Sequence, residues 1–488
     1  RVNYDYQSKY LVSATFRADG SSKFSKDNRW GYFPSAAVAW RISSESFMEK
    51  THNWLDDLKL RFSYGTAGNN NIPSDQTSPV WSSSSTTWLN QFPSYWTSGI
   101  ASGQSGSYAS NPDLKWETTI TRNMGLDYTL FGGKLTGSFE YYWNTTKDLL
   151  IAFPVSGSGY DYQYRNLGET ENKGIDLTIN STNITNKNFT WNTSITLSHN
   201  KNSVKKLTGE DVQLWEANFG YSQNTHIIGV NQPLGQMYGY VTDGLYQVSD
   251  FDYDAATKTY TLKDGVPYAG EKGNVKPGMW KFKNIDGSKD NKITEADKTV
   301  IGNAYPKIYG GINNTFTYKD FDLSIFLTYS IGNDVFNATK LTNTKTALQN
   351  KNVLAVADSK HRWVLVNKAG DLITDPQEMA DINKGKTVAA IYDNEAGDTY
   401  IHSWAVEDGS FLKLSNITLG YTFPKKMIRK VGLSKLRLYA TGSNLLTWTK
   451  YSGFDPEVST MGNGLTPGVD FGAYPRSRAF VFGINLAF

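Results

Sequence analysis

Apolar and polar residues alternate at every second position in many segments of this chain. The clearest segment spans 321–332, where one face is apolar and the other is polar except for Phe326. The apolar positions are Phe321, Leu323, Ile325, Leu327, Tyr329 and Ile331. Because successive side chains of a strand point to opposite faces, this period predicts a β-strand with one apolar face.

The same criterion predicts about thirteen strands along the chain. They lie near residues 1–6, 10–19, 31–43, 58–66, 116–130, 134–148, 174–184, 189–200, 307–319, 321–337, 411–423, 435–448 and 477–488.

The connectors between these predicted strands alternate between short and long. The short connectors are 7–9, 44–57, 131–133, 185–188, 320 and 424–434. The long connectors are 20–30, 67–115, 149–173, 201–306, 338–410 and 449–476. Outer-membrane barrels have short periplasmic turns and longer extracellular loops, so the alternation favours such a barrel, with Phe488 at the periplasmic end.

The polar faces of these strands support the same interpretation. Ser, Thr, Asn and Asp side chains would form a costly core in a soluble sandwich, but they cost little when they face a wet lumen. We therefore predict an all-β fold: an antiparallel transmembrane β-barrel, with the single unit 1–488 carrying long extracellular loops near 67–115, 201–306, 338–410 and 449–476.

Composition agrees with many strands joined by polar loops. Of the 488 residues, 39% are hydrophobic but 14% are aromatic, and 43 are Gly. Aromatic residues favour pleated surfaces. The chain has no cysteine, which excludes disulfides, thiolate metal sites and Cys nucleophiles. The net charge is +3, and the sequence contains no basic block, so nucleic acid is not an expected partner.

The start of the chain and the number of predicted strands suggest an incomplete barrel. No apolar run approaches the roughly 18 residues of a membrane helix. The sequence opens at Arg1 in strand-like alternation, without an initiating Met or a signal peptide. Bacterial single-chain barrels have an even number of strands, whereas we predict an odd number. We expect an N-terminal part of the barrel to lie outside this chain.

The last predicted strand ends in an aromatic residue. Its apolar face carries Phe480, Phe482, Ile484, Leu486 and Phe488. A terminal Phe preceded by apolar residues at every second position resembles the recognition signal of the barrel-assembly machinery, which is therefore an expected partner. The alternative is an ordinary final strand.

One loop follows the spacing of a calcium-binding loop. Its predicted ligands are Asp286, Ser288, Asp290, the carbonyl of Lys292 and Asp297, at positions 1, 3, 5, 7 and 12. Asn291 replaces the usual Gly at position 6, and Asn tolerates a positive φ. A structural calcium ion would order the loop 201–306; the alternative is an Asx-rich turn without an ion. No other cofactor is expected.

Several aromatic residues lie in segments with no strand pattern. They are Trp81, Trp88, Tyr95, Trp96, Trp215 and Tyr221. Aromatic rings stack on sugar faces and pack against partner proteins. Contact with a sugar or peptide, contact with a partner protein and packing within the loops all remain open.

No catalytic constellation is evident. The histidines form no HExxH pair and have no nucleophile partner, and the glycine patterns of phosphate and dinucleotide sites are absent. Gly132–Gly133 and Gly310–Gly311 indicate a turn and strand glycines.

Seven collinear blocks resemble the SusC/RagA-type TonB-dependent transporters of the Bacteroidota. They are YLVSATFRADGSSKF (10–24), RWGYFPSAAVAWRI (29–42), LKLRFSYGTAGN (58–69), NPDLKWETT (111–119), LGETENKGIDL (167–177), NLLTWTKYSGFDPEV (444–458) and YPRSRAFVFGINLAF (474–488). The resemblance implies the C-terminal portion of a barrel of about 22 strands, with a plug domain and TonB box absent from this chain.

The resemblance also implies a function and partners. Such proteins import oligosaccharides or peptides across the outer membrane with a SusD-like surface lipoprotein as a lid, and TonB would act through the missing N-terminal part. Outer-membrane lipid would surround the barrel. The alternatives are a passive porin or a structural or adhesive barrel and, less favoured, an outer-membrane enzyme. We expect no enzymatic activity.

Overall fold

A computed structural model gives the structure of the chain. It describes residues 1–78, 108–155, 160, 162–207, 212–217, 223–344, 352–392, 400–460 and 464–488. Among these residues, no helix is both long enough and apolar enough to cross a bilayer.

Thirteen strands form one antiparallel sheet, here called the main sheet. Strands are numbered β1–β29 along the chain. The main-sheet strands are β1 (Val2–Tyr6), β2 (Tyr10–Gly20), β3 (Trp30–Arg41), β4 (Leu55–Asn69), β6 (Glu117–Leu130), β7 (Leu135–Lys147), β10 (Glu169–Thr185), β11 (Phe189–Lys206), β22 (Ile308–Tyr318), β23 (Phe321–Ile331), β26 (Phe411–Thr422), β27 (Lys435–Thr449) and β29 (Ala479–Ala487). Each strand pairs with the next one in this series, which confirms all thirteen predicted strands.

Several predicted boundaries were wrong. The segment 321–337 is not one strand, because β23 ends at Ile331 and Asp334–Asn337 forms β24 in a different sheet. In the other direction, β10 begins at Glu169 and β11 continues to Lys206, so both extend further into the long connectors than the apolar pattern does. Backbone pairing continues there although the side chains on both faces become polar, and the periodicity criterion misses such extensions.

Because consecutive strands are antiparallel, the connectors lie alternately at the two ends of the main sheet. The tightest turns include 131–134 and 319–320, where Phe131, Gly132, Gly133 and Lys319 adopt positive φ. The contrast in length fails at the connector 21–29, which is shorter than 42–54 and 423–434 at the opposite end.

The apolar face of the main sheet is continuous across the strands. In register, Leu419 lies opposite Leu323 on one side and Ala440 on the other. The large apolar side chains on this face are solvent-exposed, for example Phe16 at 66%, Phe62 at 44% and Leu419 at 53%. A face this large and apolar is the surface that a barrel presents to lipid.

The buried hydrophobic clusters lie outside the main sheet, in the connectors. One cluster contains Met237, Phe336, Leu341, Ile401 and Val469. Another is built around Trp363 and Met379. The long connectors therefore fold around cores of their own; the parts of 212–303, 334–408 and 450–470 that the structure describes are here called the loop layer.

The loop layer is made of small sheets. Its strands are β12 (Val212–Glu216), β13 (Asn224–Gly229), β14 (Gln236–Tyr240), β15 (Thr242–Leu245), β16 (Phe251–Asp254), β17 (Thr259–Leu262), β18 (Tyr268–Ala269), β19 (Trp280–Phe282), β20 (Lys292–Ile293), β21 (Lys298–Asn303), β24 (Asp334–Asn337), β25 (Val406–Asp408) and β28 (Val469–Asp470). The remaining strands, β5 (Tyr108–Ala109), β8 (Leu150–Pro154) and β9 (Tyr162–Asn166), form a separate three-stranded sheet.

Helical segments among the described residues are short. In this part of the chain, the α-helices are Ala338–Asn343, Pro376–Ile382 and Lys425–Ile428. The 3-10 turns are Lys26–Asn28, Ile42–Ser44, Ser46–Thr51, Val248–Asp250, Lys272–Asn274, Glu295–Asp297, Ala355–Ala357, Ser403–Ala405 and Arg429–Val431.

Glycines within the main sheet leave room for aromatic side chains from the neighbouring strand. A Cβ on Gly310 would meet the Tyr329 hydroxyl at 2.7 Å and the Thr196 carbonyl oxygen at 2.0 Å. The Tyr329 hydroxyl donates to that carbonyl at 2.9 Å. Phe326, the exception to the alternation, packs over Gly311 in the same way, at 3.0 Å from an added Cβ. These glycines are therefore packing positions, in agreement with the prediction of strand glycines.

The two faces of β23 give a matched test of the membrane assignment. Replacement Ile325→Arg places a charge on the apolar face and should lower the free energy of unfolding by about 2–4 kcal/mol, because the guanidinium would enter hydrocarbon. Ser324→Arg, one residue away on the polar face, should cost much less. Urea unfolding in lipid vesicles measures both, and equal costs would contradict the assignment of the faces.

Candidate functional site

The polar face of the main sheet carries cross-strand hydrogen bonds. The Ser198 hydroxyl donates to Asp176 at 2.6 Å, and the Ser194 hydroxyl donates to Asn180 at 2.7 Å. A hydroxyl of one strand thus meets an amide or carboxylate of the next. This face keeps its hydrogen-bonding groups partly satisfied within the sheet while it stays accessible to water, as the wall of an aqueous lumen requires.

Charges are concentrated on the polar face around Arg61. Its guanidinium forms ion pairs with Asp127 at 3.2 Å and with Glu140, and Lys59 binds the other oxygen of Asp127 at 2.8 Å. Asn123 donates to Glu140 at 3.0 Å. The ionic side chains remain about one-third exposed, so this cluster can still bind water or a polar solute.

A second ionic network lies where β26 and the connector 450–478 meet. The Lys413 side chain is 5% exposed, and its ammonium pairs with Glu457 and, at 3.6 Å, with Asp455. Arg476 binds Asp455 at 3.0 Å and Glu457 at 3.3 Å. The network ties the connector preceding the last strand to the main sheet. The sequence blocks that carry the family resemblance contain three of these residues, but their spacing did not indicate the network.

The predicted calcium loop has part of the expected geometry. Asn291 adopts the positive φ of 56° that position 6 requires. Asp297 is fully buried, however, and its carboxylate accepts backbone N–H groups from Ile285 at 2.7 Å, Asp286 at 3.2 Å and Thr294 at 2.8 Å. The carboxylate that should ligate at position 12 therefore holds the loop ends together.

The other predicted ligands form local turns. Asp286 accepts the Ser288 N–H at 2.7 Å, and Asp290 accepts the Lys292 N–H at 3.1 Å. The Lys292 and Ser288 bonds hold the pKa of the exposed Asp290 carboxyl below its usual range. Across the described ranges, no three His, Asp or Glu side chains are placed to hold a metal ion. A bound calcium ion stays a prediction.

Five of the six predicted aromatic contact residues lie outside the described residues: Trp81, Trp88, Tyr95, Trp96 and Tyr221. The sixth, Trp215, lies on β12, which is an edge strand of the sheet β12–β13–β14–β21. Its indole N–H is buried, with no hydrogen-bond partner among the described residues. Trp215 is thus packed within the loop layer, and the part that all six play in binding remains a prediction.

The last strand has the geometry that its pattern predicts. β29 pairs with β27 from Lys435–Ala487 to Ser443–Ala479. The alternate residues Phe480, Phe482, Ile484, Leu486 and Phe488 are all more than half exposed. They continue the apolar face of the main sheet, and their role as an assembly signal stays a prediction.

His226 forms a buried contact between two segments of the loop layer, here called the His226 seam. Its side chain is fully buried; Nε2 lies 3.0 Å from the Pro467 carbonyl and Nδ1 lies 2.8 Å from the Thr225 hydroxyl. The contact joins β13 to the segment 464–468, which precedes the last main-sheet strand. Burial lowers the pKa of His226 to about 4, although the bond to Pro467 opposes the shift. The imidazole is therefore neutral near pH 7.

Comparisons with known proteins agree on one family. The family model "TonB dependent receptor-like, beta-barrel" matches residues 1–314. The TonB-dependent receptor P3 of Formosa agariphila is 35% identical over the whole chain, and SusC of Bacteroides thetaiotaomicron is 32% identical. The chain spans 45% and 43% of these two relatives, which is about half of each.

A solved structure shares the architecture. The structure of the RagAB peptide transporter superimposes on the whole chain with a TM-score of 0.74 and 26% identity, and the chain covers 47% of it. The same complex in a closed state gives a TM-score of 0.76.

The His226 seam should be sensitive to acid. An unfolded histidine has a pKa near 6.5, so the unfolded state binds a proton below that pH while the folded state does not until about pH 4. The seam's contribution is complete above pH 6.5 and is lost as pH falls; at pH 5 the loss is about 2 kcal/mol.

Hydrogen exchange of residues 224–229 and 464–470, measured at pH 7 and at pH 5 and corrected for the intrinsic rate, tests this expectation. Opening should increase about thirtyfold at pH 5 in the wild type. His226→Gln, which cannot titrate, should remove the pH dependence, and an unchanged dependence in that variant would contradict the assignment to His226.

Proposed function

Since the chain belongs to the family of TonB-dependent receptor-like β-barrels and lies in the bacterial outer membrane, we propose that it takes part in TonB-dependent import of an oligosaccharide or peptide with a SusD-like surface lipoprotein. Three features together carry the proposal. They are the continuous apolar face of the main sheet, its charged and hydrogen-bonded polar face, and a folded loop layer at one end.

The polar face of the main sheet supports passage of a polar solute. The cluster of Arg61, Lys59, Asp127 and Glu140 offers both signs of charge and stays partly exposed to water. The apolar face of the main sheet would keep the barrel in the bilayer. A polar wall of this kind suits a solute that carries many hydrogen-bonding groups, such as an oligosaccharide or a peptide.

The loop layer supports a lid partner. Simple porin loops need no hydrophobic core, whereas this layer has several, and ionic contacts join its segments to one another. Lys340, for example, pairs with Glu407 at 3.1 Å, and Glu407 accepts the Ser452 N–H at 2.8 Å. A preorganised surface binds a partner at lower entropic cost than mobile loops do. The similar proteins are receptors and transporters by name, which favours transport over an enzyme.

Uptake in the presence of a protonophore separates active import from a passive porin. Cells that produce the protein from its complete gene should lose uptake of the oligosaccharide or peptide when the proton gradient collapses, because TonB draws on that gradient. A porin would continue to equilibrate its solute. Affinity purification from the same cells should recover a surface lipoprotein in roughly stoichiometric amount. Uptake that persists without the gradient would contradict the proposal.

The aromatic residues of 67–115 can be tested in the same assays. Trp88→Ala combined with Trp96→Ala should lower either uptake or lipoprotein recovery if these rings contact the solute or the lid. Trp54→Ala, in a short connector at the opposite end, is the matched control. Unchanged uptake and recovery in the double variant would leave packing within the loops as their role.

We also propose that the loop 286–297 binds one calcium ion, on the strength of its spacing and the positive φ of Asn291. Calorimetric titration with calcium after chelator treatment should show saturable heat in the wild type. Asp290→Asn should abolish most of that heat, while Asp264→Asn, an exposed acid elsewhere in the loop layer, should not. A wild type without saturable heat would contradict calcium binding.

A further inference from the structure

A row of cations crosses the apolar face of four neighbouring main-sheet strands. The register places Arg122 of β6 opposite Trp143 of β7, Trp143 opposite Lys173 of β10, and Lys173 opposite Lys201 of β11. These residues have the same strand parity as the lipid-facing positions. With strands about 4.8 Å apart, the row is about 14 Å long. Here we call Arg122, Trp143, Lys173 and Lys201 the cation row.

The next row toward the short connectors is almost entirely apolar. It contains Met124, Tyr141 and Ile175 directly below the first three members of the cation row. Leu126, Phe139 and Leu177 follow in the row after that. The cation row is therefore the upper limit of the apolar band on these strands.

The height of the cation row fits the edge of a bilayer. Arg122 stands eight residues from Leu130, where β6 ends at a short connector. That separation is about 27 Å along the strand, or about 21 Å along the barrel axis at a tilt of about 40°. Because the apolar band of an outer-membrane barrel is about 25 Å tall, the row lies at the headgroups of the outer leaflet.

Positive charge in the cation row is only partly compensated. Glu171 pairs with Lys173 at 3.0 Å and with Lys205 at 3.2 Å, and it accepts the Trp143 indole N–H at 2.6 Å. Arg122 donates to the neutral Thr145 hydroxyl at 3.2 Å. Within the described ranges, neither Arg122 nor Lys201 has a carboxylate partner. Like charges directly opposite on neighbouring strands, as at Lys173 and Lys201, destabilise a sheet.

Trp143 is held between two of the cations. The Arg122 guanidinium lies 4.7 Å from the ring centroid, and the Lys173 ammonium lies 4.6 Å from it. Both cations are thus kept at the surface instead of extending freely into water. Tyr64 is 5.9 Å from the same guanidinium. A fixed pair of cations beside exposed rings can bind a phosphate and the sugar that carries it.

An apolar cavity opens directly below Arg122 and Trp143. Its volume is about 390 Å³, and its apolar wall includes Val38, Phe62, Met124 and Tyr141. The small side chain of Ala36 leaves the space between the larger residues. The cavity lies on the lipid side and within the predicted hydrocarbon depth, so its natural occupant is an acyl chain.

We propose that the cation row and this cavity form a binding site for a phosphorylated glycolipid of the outer leaflet. The cations bind phosphate, Trp143 and Tyr64 contact the sugar, and an acyl chain fills the cavity. A glycolipid carrying more than one anionic group suits a row about 14 Å long better than a phospholipid with a single phosphate does. The site lies on the outside of the barrel and is independent of the transported solute.

Native mass spectrometry of the detergent-purified protein tests the site with three probes: diphosphoryl lipid A, the same lipid without phosphates, and phosphatidylglycerol. We expect one saturable equivalent of diphosphoryl lipid A and much weaker retention of the other two. Equal retention of the dephosphorylated lipid would overturn the role of the cations. Preference for phosphatidylglycerol would overturn the assignment to a glycolipid. All three probes are measured with the wild type, so the results do not depend on how any variant folds.

The double variant Lys173→Gln plus Lys201→Gln tests the residues themselves. Each cation near an anionic membrane surface contributes about fivefold to binding, so the double variant should bind about 25-fold more weakly. Lys319→Gln plus Lys435→Gln removes the same charge at the opposite end of the sheet and should leave binding unchanged. If both double variants bind like the wild type, these lysines only extend toward water and the proposal fails.

Discussion

Lipid offers no hydrogen-bond partner to the backbone, and that constraint determines most of this structure. Every N–H and C=O of a membrane-spanning strand must pair with a neighbouring strand. The side-chain pattern and the turns then select the register of that pairing. Once the register is fixed, a side-chain period of two decides which residues meet lipid and which meet water. A slip of one residue between β23 and β26 would move Leu419 to the polar side and Thr418 into the bilayer.

The same constraint explains why hydrophobic cores occur in the connectors and not in the main sheet. Apolar side chains of the strands are already removed from water when the barrel enters a bilayer, so they need no protein core. The long connectors stand in water and must bury apolar surface of their own, around residues such as Phe336 and Trp363. Polar contacts then join the two regions, since a buried lysine such as Lys413 needs paired carboxylates.

The sequence was sufficient for the main sheet because alternation is a local signal. It predicted all thirteen strands, and the seven family blocks indicated the correct family. It was insufficient where structure depends on distant partners. The strand predicted at 321–337 joins β23 to β24, although β24 pairs with β25 and β28. The loop at 286–297 matched a ligand spacing, but spacing does not reveal that Asp297 accepts three backbone amides.

The cation row shows how the register adds information that alternation lacks. Along any single strand, Arg122 or Lys173 is simply a charge near a strand end, and such residues commonly extend toward water. Only the pairing of four strands brings them onto one line, next to Trp143 and directly above Met124, Tyr141 and Ile175. Repulsion between Lys173 and Lys201 acts at the fixed distance that backbone pairing imposes, so neither lysine backbone can move away. An anion at that position would relieve this repulsion while the strands keep their register.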